Sequence, residues 1–168
     1  MARIREAFEG VQCPPDGPRF SREKLVEGES DHLYGLTWQD YFERREEIMG
    51  HGDLVWLDDE DRLYYFPAQL LASIGEPHET DVPYNVLRYL TPPEDPRVTP
   101  PGDPWATFLR SSVSAKQREA ICEYLDYLRN RDERNIRLMP QERLLRPVEQ
   151  EWIEEWRKDM DYLEMFWR

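Results

Sequence analysis

Four acids in succession, Asp58-Asp59-Glu60-Asp61, are the densest set of metal-capable oxygens in the chain. Calcium loops place oxygen ligands at alternate positions, turn sharply on a glycine and finish on a distal bidentate Glu. Here the acids are contiguous, so their side chains diverge, and neither the glycine nor the spaced Glu follows. The pattern reads as a solvated acidic turn, with no metal. His32, His51 and His78 stand far apart and outside any HxH or HExxH spacing, so a zinc site would need three separate loops. His51, between Gly50 and Gly52, is followed by Asp53. A loop-built hydrolase site around His51, Asp53 and the acidic turn is therefore the enzymatic alternative. Ser111, Ser112 and Ser114 sit in no GxSxG elbow. No GxxxxGK[ST] or GxGxxG loop is present to cradle phosphate. Cys13 and Cys122 are too few for a disulfide framework and neither has a CxxC partner. Cys122, beside Ile121 in a helical pattern, reads as a buried, inert thiol. No residue is assigned a catalytic role and no cofactor is expected.

What remains is surface chemistry. The formal net charge is −13, with most of the excess acid in the N-terminal half. Such a surface repels phosphate backbones and anionic membranes and attracts basic proteins. The expected partner is a protein with a basic surface, with no nucleic acid and no membrane. The candidate contact residues are Asp58, Asp59, Glu60 and Asp61 in the acidic turn, and Trp152, Trp156, Phe166 and Trp167 near the C-terminus. One locally basic cluster, Arg129, Arg131, Arg134, Arg137, Arg143 and Arg146, either pairs with the acidic N-terminal half or accepts a carboxylate-rich ligand.

The elements that must position these groups follow from periodicity. With 39% hydrophobic and 12% aromatic residues in 168, the chain can bury a core without staples. No apolar run is long enough to span a bilayer, and the N-terminus lacks an apolar signal core. A cytoplasmic location is expected. Ile4 and Phe8 share one face of an opening helix over residues 2–8. Thr37 with Asp40, and Ser114 with Gln117, form capping-box patterns at two further helix starts. Leu54-Val-Trp-Leu57 and Arg62-Leu-Tyr-Tyr-Phe66, flanking the acids, read as two strands of an antiparallel hairpin. Trp56, Tyr64 and Phe66 would then face inward and Tyr65 outward. Pro67 would open the next helix at its first position, and Asp81 caps another. Prolines at 92, 93, 96, 100, 101 and 104 force an extended connection over 91–105. Helices follow over 114–131 and 147–167. In the last, Trp152, Ile153, Trp156, Met160, Leu163 and Trp167 recur at three- and four-residue steps. Trp152 and Trp156 are expected to pack within the chain, and Phe166 and Trp167 either to close the core or to meet a partner.

The Ile4-Arg-Glu-Ala-Phe8 helix, the Leu54-Val-Trp-Leu-Asp58 segment, Arg62-Leu-Tyr-Tyr-Phe-Pro-Ala-Gln-Leu-Leu71, Leu90-Thr-Pro-Pro93 and Ser114-Ala-Lys-Gln-Arg-Glu-Ala-Ile121 together resemble a bacterial family of small acidic proteins. That family is classed as a domain of unknown function. The resemblance covers roughly residues 2–130, with Tyr-Tyr-Phe-Pro-Ala its most specific part. It implies a small, acidic, cofactor-free format similar to that of bacterial immunity proteins, and it supplies no catalytic residue.

The sequence thus predicts a single α+β domain over 1–168, predominantly helical, with a small antiparallel β-hairpin near residues 54–66. The expected function is that of a non-enzymatic acidic interaction protein, an immunity or inhibitor type that neutralises a basic partner. The alternatives are the small hydrolase above and a scaffold subunit of a bacterial complex.

Overall fold

The computed structural model describes residues 1–14, 35–44, 57–75, 81–92, 103–140 and 146–168, with the backbone alone for 75 and 81–84. The described elements are α1 (Ala2–Phe8), α2 (Trp38–Glu43), α3 (Asp59–Gly75), α4 (Asp81–Leu90), α5 (Trp105–Ser112), α6 (Ala115–Leu138) and α7 (Pro147–Trp167). Among the described residues there is no strand and no sheet. The α+β expectation is therefore corrected to a helical fold. The chain divides into two compact units, Met1–Tyr89 and Leu90–Arg168.

In the first unit the second half of the expected hairpin belongs to helix α3. Its acids are not a turn between strands; Asp59, Glu60 and Asp61 occupy the first helical turn, where negative charge offsets the positive end of the helix dipole. The carbonyl of Asp58 accepts the first helical bond, from the Arg62 N–H at 2.8 Å. The alternation inferred for Tyr64, Tyr65 and Phe66 does not exist, because all three are buried, as are Ala68, Leu70, Leu71 and Ala72. A segment apolar on every side belongs to a core helix as readily as to a central strand. Nor does Pro67 open this helix; it lies in the interior. Its missing N–H leaves the Leu63 carbonyl without its helical bond, a cost of about 3 kcal/mol that the burial of the surrounding side chains offsets. Trp56, the remaining residue of the expected hairpin core, lies outside the described residues.

Helices α1 and α2 pack on α3. Ile4 and Phe8 from α1, and Trp38 and Tyr41 from α2, are buried. The Thr37–Asp40 capping box forms as the sequence predicts. The buried phenols are tied to backbone: Tyr65 donates to the Leu36 carbonyl at 2.9 Å, and the Trp38 N–H donates to the Tyr64 hydroxyl at 3.4 Å. Arg62, itself buried, lays its guanidinium 4.1 Å from the Tyr89 ring centroid.

The second unit is built on an antiparallel pair, α6 and α7. Arg129 meets Asp161 at 2.6 Å and Glu164 at 2.8 Å, and Arg157 meets Glu133 at 2.7 Å. Residue numbers rise along one helix as they fall along the other, which fixes the direction. The buried seam comprises Ile121, Tyr124, Leu125, Leu128 and Ile136 from α6 and Ile153, Met160, Leu163 and Trp167 from α7. Ser114 and Gln117 make the predicted capping box at the start of α6, and Pro147 occupies the first turn of α7.

Helix α5 begins at Trp105, the last residue of the extended connection expected over 91–105, of which residues 93–102 lie outside the described residues. Asp103 starts it, its carboxylate accepting from the Trp105 N–H at 3.0 Å. Trp105, Ala106 and Leu109 are buried. An Asp before a proline before an apolar residue is a helix-start signal, and the density of prolines ahead of it hides that signal. No described helix is long and apolar enough to cross a membrane.

Candidate interaction surface

The eight candidate contact residues fall on two helices in different units. Asp58, Asp59, Glu60 and Asp61 surround the start of α3, where Asp59 and Glu60 are exposed and Asp61 is fully buried. Asp59, Glu60 and Asp61 each have an interaction within the protein. His51, Asp53, His32 and His78, on which a loop-built enzyme site or a zinc site would depend, lie outside the described residues. Among the described residues no three His, Cys, Asp or Glu side chains converge as a metal site would require.

The titration behaviour of the first unit's phenols is that of core residues. Burial, reinforced by a hydrogen bond with the Cys13 thiol, pushes Tyr64 up to about 12. Burial also drives Tyr65 upward, and the neighbouring Cys13 and Tyr64 add to it. A general acid or base near neutral pH needs the opposite adjustment. In the second unit, burial raises the half-buried Cys122 thiol, which makes it less nucleophilic.

The four C-terminal aromatics do not share one face. Trp167 is 0% exposed and its indole N–H donates to the Leu90 carbonyl at 2.9 Å. That carbonyl ends α4, where helical carbonyls have no partner of their own. Phe166 is half-buried and packs edge-on against Trp167, centroids 5.5 Å apart. Trp156 is half-buried. Trp152, expected to pack inside, is instead 54% exposed. The reason is angular. The seam is set by Ile153, Trp156, Met160, Leu163 and Trp167, and Trp152 precedes Ile153 by one residue, about 100° around the helix. A three-or-four-residue count admits both Trp152 and Ile153 to the stripe, but the partner helix can cover only one.

Around Trp152 the surface is both apolar and acidic. Val148, one turn before it, is 73% exposed, and Leu138 at the end of α6 is 76% exposed. Because the helices are antiparallel, the end of α6 and the start of α7 lie at the same end of the pair. Glu151, Glu154 and Glu155 are exposed and make no ion pair among the described residues. No sequence motif marks Val148, Leu138 or these three glutamates; they stand out only once the helices are paired.

Within the arginine cluster, Arg129, Arg131 and Arg146 form ion pairs inside their own unit, and Arg143 lies outside the described residues. Arg129 bridges to α7, Arg131 bonds Asp132 at 3.0 Å, and Arg146 pairs with Glu149. Arg157 bonds both oxygens of Glu133, at 2.7 and 3.0 Å. This bond holds the Glu133 carboxyl below its usual range and raises the guanidinium. One side of the helix pair is thus clamped by ion pairs.

No protein-family model matches this chain, and neither a curated protein nor a solved structure matches it.

Proposed function

We propose that this chain is a non-enzymatic acidic interaction protein that docks on a basic protein partner in the cytoplasm and, in the manner of an immunity or inhibitor protein, neutralises it by covering its charged surface. One observation carries this reading: the end of the α6–α7 pair where α6 finishes and α7 begins exposes Trp152, Val148 and Leu138 beside three glutamates that lack ion pairs among the described residues. Exposed apolar groups rimmed by charge mark association surfaces. An aromatic anchor supplies binding energy while surrounding charge selects the partner's sign.

The net charge of −13 accelerates encounter with a cationic protein and slows encounter with nucleic acid. It also opposes self-association, since a second copy would bring the same carboxylates to the same face. The test is titration of the chain with basic proteins, including those encoded beside its gene, at low and physiological ionic strength. A saturable complex that weakens as salt rises is expected. Absence of binding to every basic protein at low salt would overturn the proposal.

A further inference from the structure

Among the described residues, guanidinium groups lie over aromatic rings at Arg5 on Phe42 at 5.0 Å, Arg62 on Tyr89 at 4.1 Å, Arg110 on Phe166 at 4.6 Å and Arg131 on Tyr127 at 5.9 Å. The Phe166 contact bears on Trp152 directly. Phe166 follows Trp152 by about four helical turns, so the two rings lie on the same side of α7. At Phe166 that side is covered from α5 by Arg110. At Trp152 no guanidinium stands over the ring among the described residues, although indole offers the strongest cation–π face of the aromatic side chains. Glu155 lies three residues after Trp152, a spacing that makes the two helical neighbours, and a carboxylate there can hold a cation against the ring.

Resting on the proposed function, we infer that Trp152, with Glu155 beside it, is the anchor for an arginine side chain of the basic partner. The guanidinium lies over the indole as Arg110 lies over Phe166, and Val148 and Leu138 take the apolar stem or neighbouring side chains. Arginine is favoured over lysine because its planar, weakly hydrated group both stacks and forks to carboxylate. A second copy of the chain is disfavoured as occupant, because its own glutamates would face these.

The test is isothermal titration of the full chain with an oligo-arginine peptide and its oligo-lysine and oligo-citrulline counterparts. It compares wild type with Trp152→Leu, which keeps apolar bulk and removes the π face, and with Glu155→Gln. Because Trp152 is largely exposed, unchanged melting of Trp152→Leu serves as the folding control. The expected order is arginine above lysine above citrulline. Trp152→Leu should weaken oligo-arginine binding about tenfold, the order of a partly desolvated cation–π contact, and Glu155→Gln should weaken it by a smaller factor. Equal binding by wild type and Trp152→Leu would overturn the anchor while leaving the acidic interaction protein standing. No binding of any cationic peptide would overturn both. Light scattering that showed a dimer dissolved by Trp152→Leu would make a second copy the occupant and would also overturn the inference.

Discussion

Trp167 offers the sharpest energetic test of the second unit. It is fully buried and its indole N–H reaches the Leu90 carbonyl at 2.9 Å, so it contributes through packing and through one buried hydrogen bond. Two substitutions separate these contributions. Trp167→Ala empties the site and loses the bond, for which a cost of about 3–5 kcal/mol is expected. Trp167→Phe keeps most of the apolar ring but leaves the carbonyl unsatisfied, costing about 1–3 kcal/mol. In a chain of this length each kcal/mol moves Tm by roughly 2–4 °C, so the alanine variant should melt at least ~6 °C lower. The phenylalanine variant should fall between it and wild type. Urea unfolding followed by far-ultraviolet circular dichroism measures both. A phenylalanine variant as stable as wild type would show that the indole bond contributes nothing. Two equally destabilised variants would show that the bond, and not packing, holds the C-terminal turn.

Phe66→Ala should cost about 3–5 kcal/mol, because Phe66 is fully buried in α3 and its removal opens a cavity; thermal melting measures it, and an unchanged Tm would remove this segment from the core. Ser114→Ala should lose about 1 kcal/mol through the capping box of α6, whereas Ser114→Asp should retain most of it in the same assay. Glu133 is held below its usual carboxylate range by Arg157, so its stabilisation is present above the unfolded pKa and is lost as pH falls through the lower folded value. With Arg157 49% exposed, solvent screening limits the pair to under about 1 kcal/mol. Glu133→Gln should show that deficit at neutral pH and converge on wild type in acid, and a deficit that grew on acidification would reverse the assigned direction.

Local signals are the most legible part of this sequence. Thr37 with Asp40 and Ser114 with Gln117 identify two helix starts because a capping box is satisfied within four residues, and Ile4 with Phe8 identifies α1 for the same reason of short range. The failure at Tyr64, Tyr65 and Phe66 has the opposite cause. A run that is apolar at every position carries no period, and burial on all sides of α3 is a tertiary fact. Aromatic residues and an acidic tetrad then favour a hairpin on paper, although acids in a first helical turn answer the same pattern. Trp152 shows a subtler limit. Trp152 and Ile153 both stand at helical spacing from Trp156, and only the packing of α6 decides that Ile153 goes in and Trp152 stays out. The candidate site lies where one residue of rotation separates core from surface.

Trp152, the exposed indole, and Trp167, the indole closed inside the second unit, can be distinguished in a single spectrum. The chain has six tryptophans, each giving one indole N–H signal in a nitrogen-15 correlation experiment. Following those signals during titration with oligo-arginine reports at the atoms concerned. The Trp152 signal should shift progressively to saturation while the Trp167 signal, held by the Leu90 carbonyl, does not move. A stationary Trp152 signal in the presence of bound peptide, or a Trp167 signal that shifts in its place, would contradict the assignment of Trp152 as the anchor.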